Sequence, residues 1–187
     1  MADEHGEVRD DKLDAQAAAR RRLALAQIRQ YGDPVLRMEA REVEAFDEDL
    51  RRLVDRMKAL MEDAHGVGLA ATQVGVLQRL FVVKPAEEDA LALVNPRIVE
   101  AREETEVDDE GCLSLQGVLV PVERSVAVTV EALDEHGDAV RLEFEELAAR
   151  VVQHELDHLD GRLIIDRTDP ASRRTALAAL RPQPLLG

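Results

Sequence analysis

The sequence predicts an α+β fold with mainly antiparallel β-sheet. An amphipathic helix at about 47–64 and a second helix at about 145–160 bracket a series of apolar runs too short to be helices. Two alternating segments between them are joined by a turn, so the strands meet as hairpins rather than through helical crossovers. A length of 187 residues fits one domain with its own core. Aromatic residues make up only 2% of the chain, so that core has to be built from Val, Leu, Ile and Ala.

Residues 1–14 are polar and acidic, a composition that predicts no regular structure. The next stretch, AQAAARRRLALAQIRQ, has strong helix formers but no single apolar face, which leaves its state open. YGDPVLR is a turn signal, with Asp33 before Pro34. In the first helix Leu50, Leu53, Val54, Met57, Leu60 and Met61 share one face, Asp47 is a good N-cap and Gly66 a good stop. RLFVVK (79–84) and ALVNPRIV (92–99) read as buried strands. In VAVTVEA, Val126, Val128 and Val130 alternate; DEHGD (134–138) turns the chain; Val140, Leu142 and Phe144 alternate back, which makes a hairpin. A short helix at about 170–180 closes the chain. The expected organisation is a flexible N-terminal extension, residues 1–24, followed by a single catalytic domain, residues 25–187, with a C-terminal helix.

The net charge of −15 argues against direct binding to nucleic acid or to an anionic membrane, both of which depend on clustered Lys and Arg. The balance reverses locally after residue 168, where Arg173, Arg174 and Arg181 face only Asp169. No apolar run approaches the roughly 20 residues that cross a bilayer. The acidic start (Asp3, Glu4, Glu7, Asp10, Asp11, Asp14) is not the pattern of a signal or transit peptide. One cysteine, Cys112, allows no intrachain disulfide and fits a reducing compartment, so the expected location is the cytoplasm.

Three stretches have the residue types of a catalytic site. In VVQHELDHLDG, His154 and His158 are four apart and leave the same helical face, where two imidazoles can grip one metal ion. Glu155 lies to one side, where a base for a water would sit. The pentapeptide alone leaves an ordinary solvated helix equally open. A peptidase of this type would need a third histidine at 164, which is Ile164, or a glutamate downstream, and none follows Glu155. A third ligand should therefore lie upstream. Cys112 in DEGCLSL is a strong soft ligand, although a lone cysteine is more often a small buried hydrophobe. In HGVGLAATQVG (65–75), Gly66 and Gly68 permit close approach of another chain and Gln73 could donate an amide hydrogen bond; a glycine stop and a tight loop explain the same residues. Leu147 and Val151 share the face of His154 and would line any site there, although plain core packing is the commoner reason for such residues.

Together, in this order, Gly66-Val67-Gly68-Leu69-Ala70-Ala71-Thr72-Gln73, Glu110-Gly111-Cys112-Leu113-Ser114 and Gln153-His154-Glu155-Leu156-Asp157-His158 resemble the three motifs of the peptide deformylases. The resemblance runs from about QIRQYGDPVLR to LIIDRT. It implies antiparallel sheets around a central metal-binding helix. It also implies that Cys112, His154 and His158 hold one divalent metal ion, Fe(II) in the native protein with zinc, nickel or cobalt as working substitutes. Glu155 would move the proton of the attacking water. The Gln73 amide and the Leu113 backbone N–H would stabilise the oxyanion. The substrate would be an N-formylmethionyl peptide lying along Gly68, its methionine side chain among Val67, Leu147 and Val151. Formate would leave. Because the family acts on emerging chains, the basic C-terminal stretch is a candidate ribosome contact.

The chain departs from the family pattern at Gln116 and Thr72, where proline is common. The segment LQGVLVPVERS is short and lacks arginines around 117–122; Leu119 and Val122 stand there, and Arg124 is the nearest base. These differences bear on substrate grip rather than on the metal chemistry. Competing readings are another H-E-x-x-H peptidase, weakened by Ile164, a non-enzymatic structural-metal module, weakened by the single cysteine, and a deformylase fold without activity.

Overall fold

The computed structural model describes residues 4–85 and 89–180, residues 4–14 by backbone alone. Arg181 of the basic C-terminal stretch lies outside them. In chain order the elements are α1 (Glu4–Leu25), α2 (Glu48–Asp63), β1 (Gly68–Ala70), β2 (Leu80–Val83), β3 (Leu91–Ala101), β4 (Thr105–Gly111), β5 (Leu119–Ser125), β6 (Ala127–Leu133), β7 (Ala139–Glu145), α3 (Glu146–Leu159) and α4 (Pro170–Ala179). The backbone of 4–14 belongs to α1, although the acidic composition there predicts no regular structure. The Ala- and Leu-rich stretch that follows is a strong helix former and continues the same helix.

Five strands form one antiparallel sheet in the order β1-β2-β3-β6-β7, and β4 and β5 form a separate antiparallel hairpin. The sheet lies between two helices, which explains why its central strands are continuous apolar runs rather than alternating ones. On β2, Leu80 and Val82 pack with Val54, Met57 and Met61 of α2. Phe81 and Val83 point the other way and pack with Val152, Leu156 and Leu159 of α3. A third cluster joins Val120 and Val122 of β5 to Leu163, Ile164, Ile165 and Ala176 of α4.

Helix α2 has the predicted face and N-cap, but it ends at Asp63, and His65 rather than Gly66 takes the left-handed turn after it. Asp47 caps it, accepting from the backbone N–H of Asp49 and Leu50 at 3.0 Å each. The β6–β7 hairpin pairs Val128 with Phe144 and Val130 with Leu142. The run 92–99 is a correction, since it is buried only as far as Pro96. A register shift between Val94 and Arg97 follows the left-handed Asn95 and turns Ile98 and Val99 to the surface. The Asn95 side chain holds the bulge by bonding both the N–H and the C=O of Val43, at 2.8 and 2.9 Å.

Candidate metal centre and active site

Helix α3 runs under the sheet and also touches β5, so one helix faces both sheets. Its last two turns carry His154 and His158, the first half-buried and the second buried, with ring centroids 4.9 Å apart. Cys112 arrives from the end of β4. Its Sγ lies 3.3 Å from His158 Nε2, which is 3.2 Å from His154 Nε2. All three ligand atoms lie within 4.8 Å of one another. Ligand atoms around a tetrahedral ion with bonds of about 2.0–2.3 Å stand roughly 3.3–3.6 Å apart, so the donor set has the size and the sulfur–nitrogen chemistry of a divalent transition-metal site.

The surroundings fit such an ion. His154 Nδ1 lies 3.0 Å from Glu110 Oε2; the ring N–H donates to the carboxylate, which leaves Nε2 free as a ligand. Burial alone would lower the His154 pKa, but contacts with Cys112 and Glu110 carry it well above the usual histidine range. The cluster thus draws positive charge, a demand that a divalent cation meets. Burial, helped by the nearby charges of His154 and Arg124, keeps His158 neutral, as a ligand must be.

Glu155 follows His154 directly in the chain. Its carboxyl is buried and raised by that burial to about 7. Oε2 is buried without a hydrogen-bond partner among the described residues. An unpartnered buried carboxyl oxygen beside a metal-ligand cluster is suited to exchanging a proton with a reactant. Gly68 packs directly against it. A Cβ on Gly68 would fall 2.5 Å from Glu155 Oε1 and 2.8 Å from Val151 Cγ1. Gly68→Ala is therefore expected to displace the carboxyl and lower kcat/KM by about 10²-fold with the metal content unchanged. Steady-state kinetics and metal analysis on the purified variant check this.

Gln73 sits on a short 3₁₀ turn after β1. Its Oε1 accepts from the Ala70 N–H at 2.8 Å, which fixes the amide so that Nε2 points at Ser114 Oγ (3.1 Å) and Cys112 Sγ (3.7 Å). A cavity of about 600 Å³ opens above the cluster. Val67, Gly68, Leu113, Leu147 and Val151 all line it. Val67 and Leu147 are 47% and 64% exposed at its rim, while Val151 is buried in its floor.

The sequence matches the polypeptide deformylase family model over residues 25–174. The chain belongs to the peptide deformylase family. It is 51% identical to the peptide deformylase of Clostridium botulinum over 146 residues, 78% of this chain and 98% of that protein. The Thermotoga maritima peptide deformylase is 49% identical over 146 residues, 78% of this chain and 88% of that protein. Among solved structures, a Synechococcus elongatus peptide deformylase in complex with actinonin superposes with a TM-score of 0.78 at 39% identity, covering 81% of this chain and 85% of that one.

The structure brings Cys112, His154, His158, Glu155, Gln73 and Leu113 into one site with the four residues expected to contact substrate. Arg124, the nearest base to the short loop, is only 6% exposed and does not line the cavity. Its guanidinium is forked onto Glu110 (2.9 and 3.0 Å) and reaches Asp157 Oδ2 at 2.6 Å. Arg150 adds a second cation to Glu110 at 2.9 Å, and Arg167 pairs with Asp157. Burial pushes the Glu110 carboxyl up, but the His154 and Arg124 hydrogen bonds and the Arg124 charge outweigh it and hold it at about 2. This network, through Glu110, orients the His154 ring. A signal for it is present in the sequence: Val120, Val122 and Arg124 alternate on one face of β5, so the arginine had to be an inward residue in need of partners.

Proposed function

We propose that this deformylase removes the formyl group of N-formylmethionyl peptides with Cys112, His154 and His158 holding one divalent ion, Fe(II) natively and replaceable by zinc, nickel or cobalt. The observation that carries the reading is the unpartnered buried oxygen of Glu155 next to a Cys/His/His cluster, at the floor of a cleft whose edge is a bare backbone strand. When bound, the ion supplies Lewis acidity to a water and to the formyl oxygen.

The chain's own groups do the rest. Val67 O accepts from Lys84 N on the β2 side, so strand alternation aims the Gly68 N–H and C=O at the cleft, where they can pair with an extended peptide. The methionine side chain enters between Val67, Leu147 and Val151. Glu155 takes the proton of the attacking water as the C–O bond forms. The Leu113 N–H, which has no backbone partner among the described residues, and Gln73 Nε2 donate to the oxyanion. Glu155 then gives the proton to the peptide nitrogen as the C–N bond breaks, and formate and a free amino terminus result.

Residues 25–187 form the catalytic domain in this reading, and the reaction takes place in the cytoplasm on emerging chains. No helix of the described residues is long and apolar enough to cross a membrane. The exposed Arg174 belongs to a surface proposed to meet the ribosome. Formate release from formyl-Met-Ala-Ser, with acetyl-Met-Ala-Ser as the control, tests the reading. Release from the first and none from the second is expected, and no release from either overturns it.

A further inference from the structure

The family match begins at residue 25, yet one residue that lines the cavity, Arg21, precedes it. Arg21 and Leu25, one turn apart on α1, line the same cavity as Gly68 and Glu155. The helix is held there by its packing on α2. Ala24 and Ile28 share a buried cluster with Leu60, Met61 and Ala64, and Leu25 packs against it. Arg21 Nε donates to the Ala64 carbonyl at the end of α2, at 3.4 Å. That contact uses one of the five N–H groups of the guanidinium and places it beside His65, Gly66 and Val67, which line the same mouth.

The direction of the substrate follows from the strand that it pairs with. Leu69 and Ala70 are buried within the sheet, whereas His65 and Val67 are exposed, so a peptide lying along Gly68 can reach solvent only past residues 67 to 65. Its reacting end is at Glu155. The residues after the methionine therefore run towards α1. Of the two arginines that line the cavity, Arg150 is spent on Glu110, while no carboxylate among the described residues pairs with Arg21. The carboxylates on the far wall are Glu110, which is neutralised by its arginines, and the exposed Asp109.

We infer that Arg21 is a specificity-determining residue that gives this enzyme a preference for substrates with an acidic side chain two positions after the formylmethionine. This rests on the deformylase reading of the same site. The extension thereby supplies, from outside the family's own segment, a cation at the mouth of a cleft whose loop 117–122 has none.

The test compares kcat/KM for formyl-Met-Ala-Asp-amide and formyl-Met-Ala-Lys-amide in the full chain, in Arg21→Gln and in Arg21→Glu. The parent should favour the acidic peptide by about two- to fivefold at low salt, the range of an exposed charge pair, and the ratio should shrink at high salt. Arg21→Gln should bring the ratio near one and Arg21→Glu should invert it, both with formyl-Met-Ala-amide turned over as in the parent. The same ratio in all three proteins overturns the inference. If Arg21 only caps α2, its loss lowers the melting temperature and leaves the ratio in place, which also overturns it. Absence of formate release from every peptide, parent included, would instead overturn the deformylase reading.

Discussion

Glu155→Ala is expected to lower turnover of a formylated peptide by about 10²–10⁴-fold while one ion per chain stays bound. The proposed ligands are Cys112, His154 and His158, and the Glu155 carboxyl is in none of the contacts among them. What the variant loses is the group that takes a proton from water and returns it to the leaving amine. Burial gives that group a pKa of about 7, so near neutral pH it can do both. Oε2 has no partner among the described residues and burial disfavours the charged carboxylate, so removing the acid should not weaken the fold. Kinetics, metal analysis and a thermal melt on one preparation separate the possibilities. Parent-like turnover in Glu155→Ala would remove the residue from the mechanism.

Arg124→Met should be the most destabilising single change near the site. It leaves Glu110 with Arg150 and His154 only, and Asp157 with Arg167 only, both inside the protein. Breaking a buried ion pair from one side typically costs about 3–5 kcal/mol, which for a domain of this size is a fall in Tm on the order of 10 °C. The Glu110 carboxylate also loses the fork that aims it at His154 Nδ1, so metal affinity should fall by about 10–100-fold. Arg124→Lys should recover little, because a single ammonium cannot span both Glu110 oxygens and Asp157. Calorimetry and metal titration check the two effects. An unchanged Tm would mean that the network contributes nothing beyond its own desolvation.

Much of this was legible in the sequence for definite reasons. The α2 face is regular because one side of the helix is solvated, and the β6–β7 hairpin is marked by its turn. The Cys/His/His cluster is legible in part, because two of its members share a helix turn and the gap at Ile164 leaves only an upstream residue such as Cys112 as a third. The β4–β5 hairpin was not found. Thr105–Gly111 is a mostly exposed, acidic ribbon, and its backbone pairing with β5 leaves little hydrophobic pattern to read. β1 has only three residues, all buried, and owes its strand geometry to β2. The alternation of Val120, Val122 and Arg124 marks the arginine as an inward residue, but its partners lie 14 and 33 residues away, beyond what a local pattern can name. The helix that places Arg21 at the cavity was left open because its own apolar pattern is weak; its position comes from packing on α2.

The central claim is that one ion held by Cys112, His154 and His158 serves deformylation with Glu155 as the base. Formate release from formyl-Met-Ala-Ser, measured with metal content on the same anaerobically purified sample before and after chelation and re-addition of Fe(II), tests it most directly. The expected result is formate release in proportion to bound metal up to one ion per chain, lost on chelation and restored on re-addition. A sample with one ion per chain and no formate release, or one whose release survives complete removal of the metal, would contradict it.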